Sequence, residues 1–432
     1  MSKVSTVGLQ IAERARNFKG EALNNLHPFI DAQMLKHSYM HLNRRSAGGT
    51  DGKTWQEYGQ EFPGRCESLL GEFKSGRYRA PAIRRVYIDK DRQKRRSLGI
   101  PTIEDKVLQA SVCRVLESIY EGEFKNTSYG FRPGRSQHQA INYMFRKVSF
   151  DKMHHIIDAD IKDFFGSINH GILREFLDKR VKDGVIRKMI DKWLKAGVME
   201  SGNISYPHEG TQQGGIISPI LSNIYLHYVL DEWFSEQIQP LLKGKSFIVR
   251  WADDFILGFS EKSDAERVMK VLPKRFAKFK LTLHPEKTRM LDLNSKRGKP
   301  GRSFDFLGFT HFLSNCRKET KVLKRKTSSK SLTRATSALH SFIKRNRHMA
   351  YKALIDAINV KLRGHYLYYG ITFNFRSISW FYFHAKRCLI KWLRRRGGKS
   401  KWTWDYFVLL TEKWHPILKP FISNSFATSQ RI

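Results

Sequence analysis

Two adjacent aspartates, Asp253 and Asp254, lie between two short apolar runs in the segment FIVRWADDFILGF, residues 247–259. Each run has the length and the β-branched and aromatic content of a strand, so the segment predicts a β-hairpin with both carboxylates at its tip. In so basic a protein, a rigidly held carboxylate pair indicates a divalent metal that acts on a polyanion. The alternative is a solvated Asp-Asp turn, because aspartate is common in turns.

A second group of carboxylates lies earlier in the chain, in the segment HHIIDADIKDFFGSI, residues 154–168. Asp158 and Asp160 alternate with a period of two after an apolar pair, so a strand would carry both on one face. Asp163 follows them. If this strand lies beside the hairpin, the two groups of carboxylates meet.

Carboxylates that meet in this way fit nucleotidyl transfer with two Mg²⁺ ions. One ion lowers the pKa of the attacking 3′-hydroxyl, and the other neutralises the triphosphate and its leaving oxygen. Mg²⁺ demands oxygen ligands, which favours aspartate over histidine as the ligand.

The composition favours a nucleic acid as the partner. The 432 residues include 78 Lys and Arg against 40 Asp and Glu, a formal net charge of +38, and a charge of this size attracts polyanions. An anionic membrane is the competing partner, but no apolar stretch reaches the roughly 18 residues that a transmembrane helix needs. No secretion signal is recognisable at the N-terminus. The four cysteines are far apart, which is typical of packing residues in a reduced cytoplasm.

Several flanking segments predict elements that position these carboxylates. Residues 79–100 predict a basic hairpin whose tip, residues 89–96, is either a solvated loop or a clamp for phosphates. A helix should follow over residues 101–120. The sequence YGFRPGR, residues 129–135, predicts a tight basic loop, and GTQQGGIISP, residues 210–219, predicts a flexible loop that leads into an apolar helix.

The remaining segments predict helices and one short strand. We expect residues 171–197 to be helical and FDFLGF, residues 304–309, to be an aromatic strand. After about residue 320, basic and apolar residues alternate at helical spacing up to Arg396, which predicts a helical module with one basic face. The interleaved aromatics favour binding of a nucleic-acid backbone over a merely solvated surface; they are Tyr366, Tyr368, Tyr369 and Trp380.

Taken in order, these motifs resemble the reverse transcriptase–maturase proteins encoded by bacterial group II introns. The similarity runs from about Gly48 to about Phe407 and comprises GGTDG, RRSLGIPT, TSYGFRPGRS, DADIKDFFGSINH, GTQQGGIISPILSNIYL, RWADDFILGF, HPEKT, FDFLGF, LRGHYLYYG and KWLRRR. Each motif alone has little specificity, whereas the ordered set is highly specific. LRGHYLYYG in particular is similar to the maturase thumb.

The resemblance implies which carboxylates bind metal. Within DADIKDFF the family's metal ligand is the aspartate before Ile-Lys, which is Asp160; Asp158 is its local rival and Asp163 a weaker one. Asp160 and Asp253 would bind both Mg²⁺ ions, with the Ile161 carbonyl assisting, and Asp254 would complete the triad. Mn²⁺ could substitute for Mg²⁺.

The resemblance also implies residues that contact the incoming dNTP. Lys90 and Arg96 match finger residues that grip the triphosphate, and Gln213 matches a glutamine that contacts the nucleotide. Phe165 matches the aromatic that packs under the sugar and excludes a 2′-hydroxyl; its alternative is a plain core residue. Lys287 matches a lysine near the leaving pyrophosphate, a candidate general acid. For Lys90 and Lys287 the alternative is a solvated lysine.

Primer and template contacts are expected from Arg132, Arg135, Trp251 and Gly308.

The chain departs from the family pattern at four positions. Trp251 replaces the usual tyrosine before Ala-Asp-Asp, and Gly166 stands where an aspartate usually follows the two aromatics. Gln212 and Asp89 each replace a proline. None of these departures removes a metal ligand, but they leave room for a specialised enzyme.

The resemblance implies an α+β right-hand polymerase. Residues 1–75 would form an N-terminal extension and the start of the fingers, residues 76–315 the fingers and a palm with an antiparallel sheet, and residues 320–396 an α-helical thumb or maturase domain. A short basic tail would follow over residues 397–432, which carries no paired Cys and His of an endonuclease. A bacterial cytoplasmic, nucleoid-associated location is expected.

The implied function is RNA-directed DNA synthesis with Mg²⁺ and dNTPs, together with binding of the intron RNA to assist its splicing and retrohoming. The partners would be intron or template RNA and a DNA primer or target. One alternative is a free-standing reverse transcriptase used in phage defence or DNA repair, to which the departures point. Another is a non-catalytic RNA chaperone, against which the intact Asp160, Asp253 and Asp254 argue.

Overall fold

The computed structural model describes residues 3–91, 94–200, 203–206, 210–211, 214–295, 302–315, 321–396 and 402–425. These residues form both helices and strands, grouped in runs of each, as in an α+β chain. The helices are α1 Lys3–Asn17, α2 Ala32–His41, α3 Trp55–Lys74, α4 Ile103–Tyr120, α5 Gln137–Ser149, α6 Phe164–Ser167, α7 His170–Asp178, α8 Gly184–Leu194, α9 Ser218–Leu226, α10 Lys262–Lys278, α11 Ser329–Arg345, α12 Tyr351–Tyr369, α13 Phe375–Leu393 and α14 Trp404–Leu409. The strands are β1 Ile83–Asp91, β2 Lys94–Ile100, β3 His155–Asp160, β4 Val198–Glu200, β5 Asn203–Ser205, β6 Ser246–Trp251, β7 Asp254–Phe259, β8 Arg289–Asp292, β9 Ser303–Phe306, β10 Phe309–Asn315 and β11 Lys321–Thr327.

The chain divides into two compact units, of which the first comprises residues 1–136, 157–257 and 261–289. Helix α4 lies at the centre of this unit and packs against α1, α2, α3 and α9. It begins where the Thr102 hydroxyl accepts a hydrogen bond from the Asp105 amide, which satisfies one N–H of the first turn. Helix α9 is buried on all sides, which explains its almost wholly apolar sequence.

Two four-stranded sheets contain the predicted hairpins. One has the strand order β2-β1-β4-β5 and the other β6-β7-β3-β8. The basic hairpin is confirmed, with β1 and β2 antiparallel from the pair Arg84 and Ile100 to the pair Asp89 and Arg95. Its strands continue further into the basic tip than the sequence predicted.

The stretch predicted to be helical, residues 171–197, contains two helices and not one continuous helix. Two helices, α7 and α8, occupy this stretch and are separated by residues 179–183. The Asp183 carboxylate accepts hydrogen bonds from the amides of Val185 and Ile186, so a new helix begins there.

The second unit comprises residues 137–156, 258–260 and 290–432. Strands β11, β10 and β9 form an antiparallel sheet, and α11, α12 and α13 pack together. The aromatic strand predicted at residues 304–309 is a hairpin instead, because Leu307 and Gly308 both have positive φ, 51° and 78°, as a type I′ turn requires. Similarly, the basic module after residue 320 begins with a strand, β11, before its helices.

Part of the stretch predicted as a tail belongs to the core of the second unit. Phe407 and Ile417 are fully or almost fully buried in one apolar cluster with Leu354, Tyr366 and Leu389. The apolar face of α14 therefore completes the helical core, so part of the predicted basic tail is packed into this unit. None of the helices that the structure describes has the length and apolarity needed to cross a membrane.

Candidate active site

The predicted hairpin of the adjacent aspartates is present. Strand β6 ends at Trp251, β7 begins at Asp254, and a two-residue turn, Ala252-Asp253, joins them. Ala252 has a φ of +57°, the left-handed region that a side chain disfavours. The chain reverses within these two residues, and both carboxylates lie at the tip of a buried hairpin.

The two groups of carboxylates meet at this tip, because β7 and β3 are neighbours in the sheet. Burial, followed by the negative charges of Asp158, Asp160 and Asp253, raises the pKa of Asp254 well above its ordinary value, while Lys287 opposes the shift. Because interactions between charges weaken with distance, these contributions indicate that the four carboxylates lie near one another.

Two cations face the carboxylates of β3. The Lys287 ammonium forms an ion pair with Asp160, and the Arg289 guanidinium forms one with Asp158, with Nε and Nη2 each 3.2 Å from Oδ2. Backbone pairing brings these cations in, because the His284 amide donates to the Asp160 carbonyl at 2.7 Å. Lys287 was predicted at this site, whereas Arg289 was missed.

The donor set suits a divalent cation, although it does not form a closed cage. Within the described part of the chain, no group of three or more His, Cys, Asp or Glu side chains is arranged to hold a metal ion. The ion pairs with Lys287 and Arg289 hold two of the carboxylates. However, after burial, the negative charges of Asp158, Asp160 and Asp253 contribute to the raised pKa of Asp254. A bound Mg²⁺ would offset these charges with the oxygen ligands that it prefers.

Comparison with known proteins identifies the family. Residues 88–311, just over half of the chain, match the model of the reverse transcriptase (RNA-dependent DNA polymerase) family. The chain belongs to the reverse transcriptase family.

Relatives of this reverse transcriptase include intron-encoded proteins. It is 37% identical over 164 residues to the group II intron-encoded protein LtrA of Lactococcus lactis subsp. cremoris, which covers 38% of this chain and 27% of LtrA. It is 33% identical over 186 residues to YkfC of Escherichia coli K12, 42% of this chain and 48% of YkfC. Over 83 residues it is 28% identical to nuclear intron maturase 1 of Arabidopsis thaliana, 19% of this chain and 11% of that protein.

These matches confirm the predicted resemblance to the group II intron proteins. The aligned stretches span less than half the length of each of these relatives.

The predicted nucleotide loop, residues 210–219, begins against the turn that carries Phe165. The Thr211 amide donates to the Phe165 carbonyl at 2.6 Å, and the Gly210 amide donates to the Ile168 carbonyl at 2.8 Å. Gly210 has a φ of +93°, and a Cβ there would lie 2.9 Å from the Gly166 Cα, so the two glycines let the backbones approach closely. Phe165 is buried at this junction.

Some predicted nucleotide contacts lie outside what the structure describes. Gln212 and Gln213 are not among the described residues. Lys90 lies in β1, and Arg96 lies in β2 opposite Ile88, but their side chains are also outside the described part. Their predicted roles therefore remain predictions.

The prediction for Arg132 needs correction. Its side chain is only 2% exposed, and its guanidinium donates to the Glu121 carboxylate and to the carbonyls of Lys125 and Ser128. It therefore holds the YGFRPGR loop from within and does not present a free cation to a primer or template. Arg135, by contrast, is half-buried beside Asn126, and its predicted contact is unaffected.

The predicted contacts of Trp251 and Gly308 with primer or template remain predictions. Trp251 is half-buried at the end of β6, next to the carboxylates. The turn between β9 and β10 explains why position 308 is a glycine, because a Cβ there would lie 3.0 Å from the Tyr369 hydroxyl.

One group of buried polar residues was missed by the sequence analysis. Arg250, Asp231 and Asn223 are almost wholly buried and hydrogen-bonded to one another beside the hairpin. The sequence did contain a signal for these residues, since Arg250 and Asp231 interrupt otherwise apolar runs. A charged side chain in such a run needs a partner of opposite charge when it is buried.

Proposed function

We propose that this protein is an RNA-directed DNA polymerase of the group II intron type. The observation that carries the proposal is the meeting of Asp158 and Asp160 with Asp253 and Asp254 at one site of a chain that matches the reverse transcriptase family. In this proposal the first unit supplies fingers and palm, and the helices of the second unit supply the thumb. The protein would act on nucleic acids in the bacterial cytoplasm, at the nucleoid.

In this proposal, Asp160, Asp253 and Asp254 hold two Mg²⁺ ions, assisted by the Ile161 carbonyl. Bound Mg²⁺ would supply activation of the primer hydroxyl and neutralisation of the triphosphate charge. Lys287 holds a proton at Nζ beside Asp160, where it can be donated to the leaving pyrophosphate.

The remaining contacts of the proposal position the dNTP. Lys90 and Arg96 bind the triphosphate and Gln213 the nucleotide, while Phe165 excludes the 2′-hydroxyl of a ribonucleotide.

Primer extension on an RNA template with Mg²⁺ and dNTPs tests the proposal. We expect synthesis by the wild type and a loss of at least about a thousandfold in Asp253→Ala, because a metal ligand disappears from the site. Asp178→Ala is the matched control, since Asp178 is 57% exposed on α7 and forms its ion pair with Arg187, outside the group of clustered carboxylates. If neither wild type nor Asp253→Ala extends the primer while both bind RNA tightly, the protein is a non-catalytic RNA chaperone.

A second comparison distinguishes the two carboxylates of β3. Asp160→Asn should abolish extension, whereas Asp158→Asn should reduce it less, because Asp158 would act on the site only through its charge. Equal loss in both variants would show that Asp158 is also a ligand.

We further propose that the helical unit binds unpaired RNA, in keeping with a role in intron splicing. A groove of about 850 Å³ along α13 is lined by exposed aromatic and basic side chains. Trp380, Phe383 and Trp404 are 51%, 60% and 46% exposed there. The cations of the groove are Arg387, Lys391, Arg394 and Arg395. Aromatic faces and cations without carboxylates fit stacked bases and their phosphates.

The aromatic residues of this groove differ from most of those predicted from the sequence to bind a nucleic-acid backbone. Tyr366 is fully buried in the helical core, and the Tyr368 hydroxyl donates to the Leu307 carbonyl at 3.1 Å. Of the four predicted aromatics, Trp380 lines the groove.

Binding of a short unstructured RNA to Trp380→Ala and Phe383→Ala variants tests the groove. Loss of one stacking face should weaken binding by about 1–3 kcal/mol, or roughly fivefold to over a hundredfold. Phe375→Ala is the matched control, because Phe375 lies on the same helix, is 51% exposed and does not line the groove. Equal weakening in all three variants would exclude a specific role for the groove.

A further inference from the structure

We propose that Arg250, Asp231 and Asn223 are positioning residues that orient the catalytic carboxylates by holding the left-handed turn at Ala252. The inference rests on the proposed polymerase function of the site. It assigns a role to side chains that touch neither the nucleotide nor the metal ions.

The buried guanidinium of Arg250 is oriented by a bidentate ion pair. Its Nε donates to Asp231 Oδ1 at 2.8 Å and its Nη2 donates to Asp231 Oδ2 at 2.5 Å, and neither side chain has any exposed surface. Two parallel hydrogen bonds determine the plane of the guanidinium as well as its place. The remaining nitrogen, Nη1, is thereby aimed in one direction.

Nη1 is aimed at the catalytic turn. It donates to the Ala252 carbonyl at 3.0 Å and to Asn223 Oδ1 at 2.9 Å. The Ala252 carbonyl belongs to the peptide plane from which Asp253 begins. Holding this oxygen therefore determines the direction in which the Asp253 side chain, and after it that of Asp254, leaves the backbone.

The turn needs an external constraint, because an L-residue disfavours its conformation. Ala252 has a φ of +57°, where its Cβ crowds the backbone, and glycine would adopt this conformation freely. A strained conformation persists only when the surroundings over-determine it. The hydrogen bond from Arg250 supplies one such constraint.

The opposite side of the turn is closed by the loop that precedes α5. Asn223 Nδ2 donates to the Gly130 carbonyl at 2.8 Å, and a Cβ on Gly130 would lie 2.4 Å from the Ala252 amide nitrogen. The backbone of Arg250 also exchanges hydrogen bonds with Thr127 and Tyr129, both at 2.9 Å. Asn223 thus links the guanidinium to the loop, and the turn lies between them.

Positioning can be separated from stabilisation by experiment. A buried ion pair is a weak source of stability, because desolvation offsets the attraction of the charges. Its geometric effect, in contrast, acts directly on the reacting groups, where a displacement of about 1 Å can cost on the order of a hundredfold in rate.

The first test is Arg250→Lys, which keeps the charge but loses the planar fork. We expect the single-turnover rate of dNTP addition to fall by roughly tenfold to a hundredfold, with a much smaller change in the KM for dNTP. The Mg²⁺ concentration for the half-maximal rate should rise. Mn²⁺ binding, followed by electron paramagnetic resonance, should weaken in the same variant, and this readout does not require polymerisation.

Arg180→Lys is the matched control. Arg180 is an equally buried arginine of the same unit, pairs with Glu123 and donates to backbone carbonyls of residues 15, 18 and 21. Both variants should lose thermal stability, but only Arg250→Lys should change the metal dependence. If the Arg250→Lys protein does not fold, the double variant Arg250→Met with Asp231→Leu takes its place in the test, because apolar residues then replace the buried ion pair.

Rescue provides the decisive comparison. Glycine adopts a positive φ without strain, so a turn with Ala252→Gly needs the constraint from Arg250 less. We therefore expect that adding Ala252→Gly to Arg250→Lys restores the rate by at least about threefold. A folded Arg250→Lys variant with wild-type rate and Mn²⁺ affinity would overturn the positioning role, as would losses that Arg180→Lys reproduces. An inactive wild type would contradict the polymerase function instead, and the Mn²⁺ measurement would still decide the positioning.

Discussion

At the scale of single residues, Phe165 is the proposed sugar discriminator. It follows β3 by five positions, is buried, and its carbonyl carries the nucleotide loop through Thr211. Phe164, its neighbour, is buried more completely and packs against it with ring centroids 5.6 Å apart. The two adjacent rings therefore offer a matched pair of variants, one at the proposed discriminator and one at its more deeply buried neighbour.

We predict that Phe165→Val will increase incorporation of ribonucleotides relative to deoxyribonucleotides by at least about tenfold, or about 1.4 kcal/mol. A smaller side chain leaves room for the 2′-hydroxyl. The measurement is the ratio of kcat/KM for a ribonucleotide and its deoxy counterpart. Phe164→Val should lower stability without changing this ratio, and a changed ratio in both variants would assign Phe165 to the core.

Gly166 shows a physical reason for one departure from the family pattern. A Cβ at this position would lie 2.4 Å from the Asp163 carboxylate oxygen, and the Gly210 backbone packs closely against it. An aspartate here would place two carboxylates together and would press on the nucleotide loop. The glycine thus fits the way in which this chain seats the loop.

At the scale of elements, the β9–β10 hairpin buries a histidine that must remain neutral. His311 is fully buried, stacks on Phe304 with ring centroids 5.3 Å apart, and lies near Arg325. Burial, with the Arg325 charge as a second cause, lowers the pKa of His311 from 6.5 to about 3. Protonation of this side chain is therefore coupled to unfolding of the hairpin.

We predict that the free energy of unfolding decreases as the pH falls below about 6.5, with a contribution from His311 of up to about 1.4 kcal/mol per pH unit. The unfolded chain binds the proton first, so the folded state loses stability until the pH approaches the folded pKa near 3. Above pH 6.5 this contribution is constant.

Thermal or urea unfolding from pH 7.5 to 5 measures this slope. His311→Phe should flatten it, because the ring can still stack but no longer binds a proton. His348→Phe, at an exposed position of the same unit, is the control and should leave the slope unchanged. A wild-type slope in His311→Phe would show that other groups cause the pH dependence.

At the scale of the whole molecule, the net charge of +38 should govern the proposed association with nucleic acid. We predict that the affinity for single-stranded RNA falls steeply with salt, since each neutralised phosphate releases counterions and adds about −0.7 to the slope of log K against log salt. About six contacts would then weaken binding by a few hundredfold between 50 and 200 mM salt.

Filter binding at several salt concentrations measures this slope. A matched pair of variants shows whether the cations of the groove contribute to it. Arg387→Ala, in the groove, should reduce the magnitude of the slope by about one contact, or 0.7. Lys262→Ala, an exposed lysine that pairs with Glu266, should not reduce it. A slope close to zero would show that the charge does not contact phosphate.

The elements of this protein follow from local patterns in its sequence. Two apolar runs of strand length predicted the hairpin at Asp253. The period-two spacing of Asp158 and Asp160 predicted the strand that ends at Asp160, since this period is a property of the backbone itself. Helix α4 was predicted equally well, because its cap and its apolar stripe are local. Two interruptions were missed because each is marked by only one or two residues. They are the helix break that ends at Asp183 and the turn at Gly308.

The partners of the charged residues depended on the tertiary structure alone. Arg289 meets Asp158 across 131 positions, Arg250 meets Asp231 across 19, and Arg132 turns into the protein instead of toward a primer. No local pattern encodes such pairs, because a charge is buried only where distant segments bring it a partner. The sequence by itself determined which carboxylates could bind metal and which family the chain resembles. The packed structure decided which side chains hold those carboxylates in place.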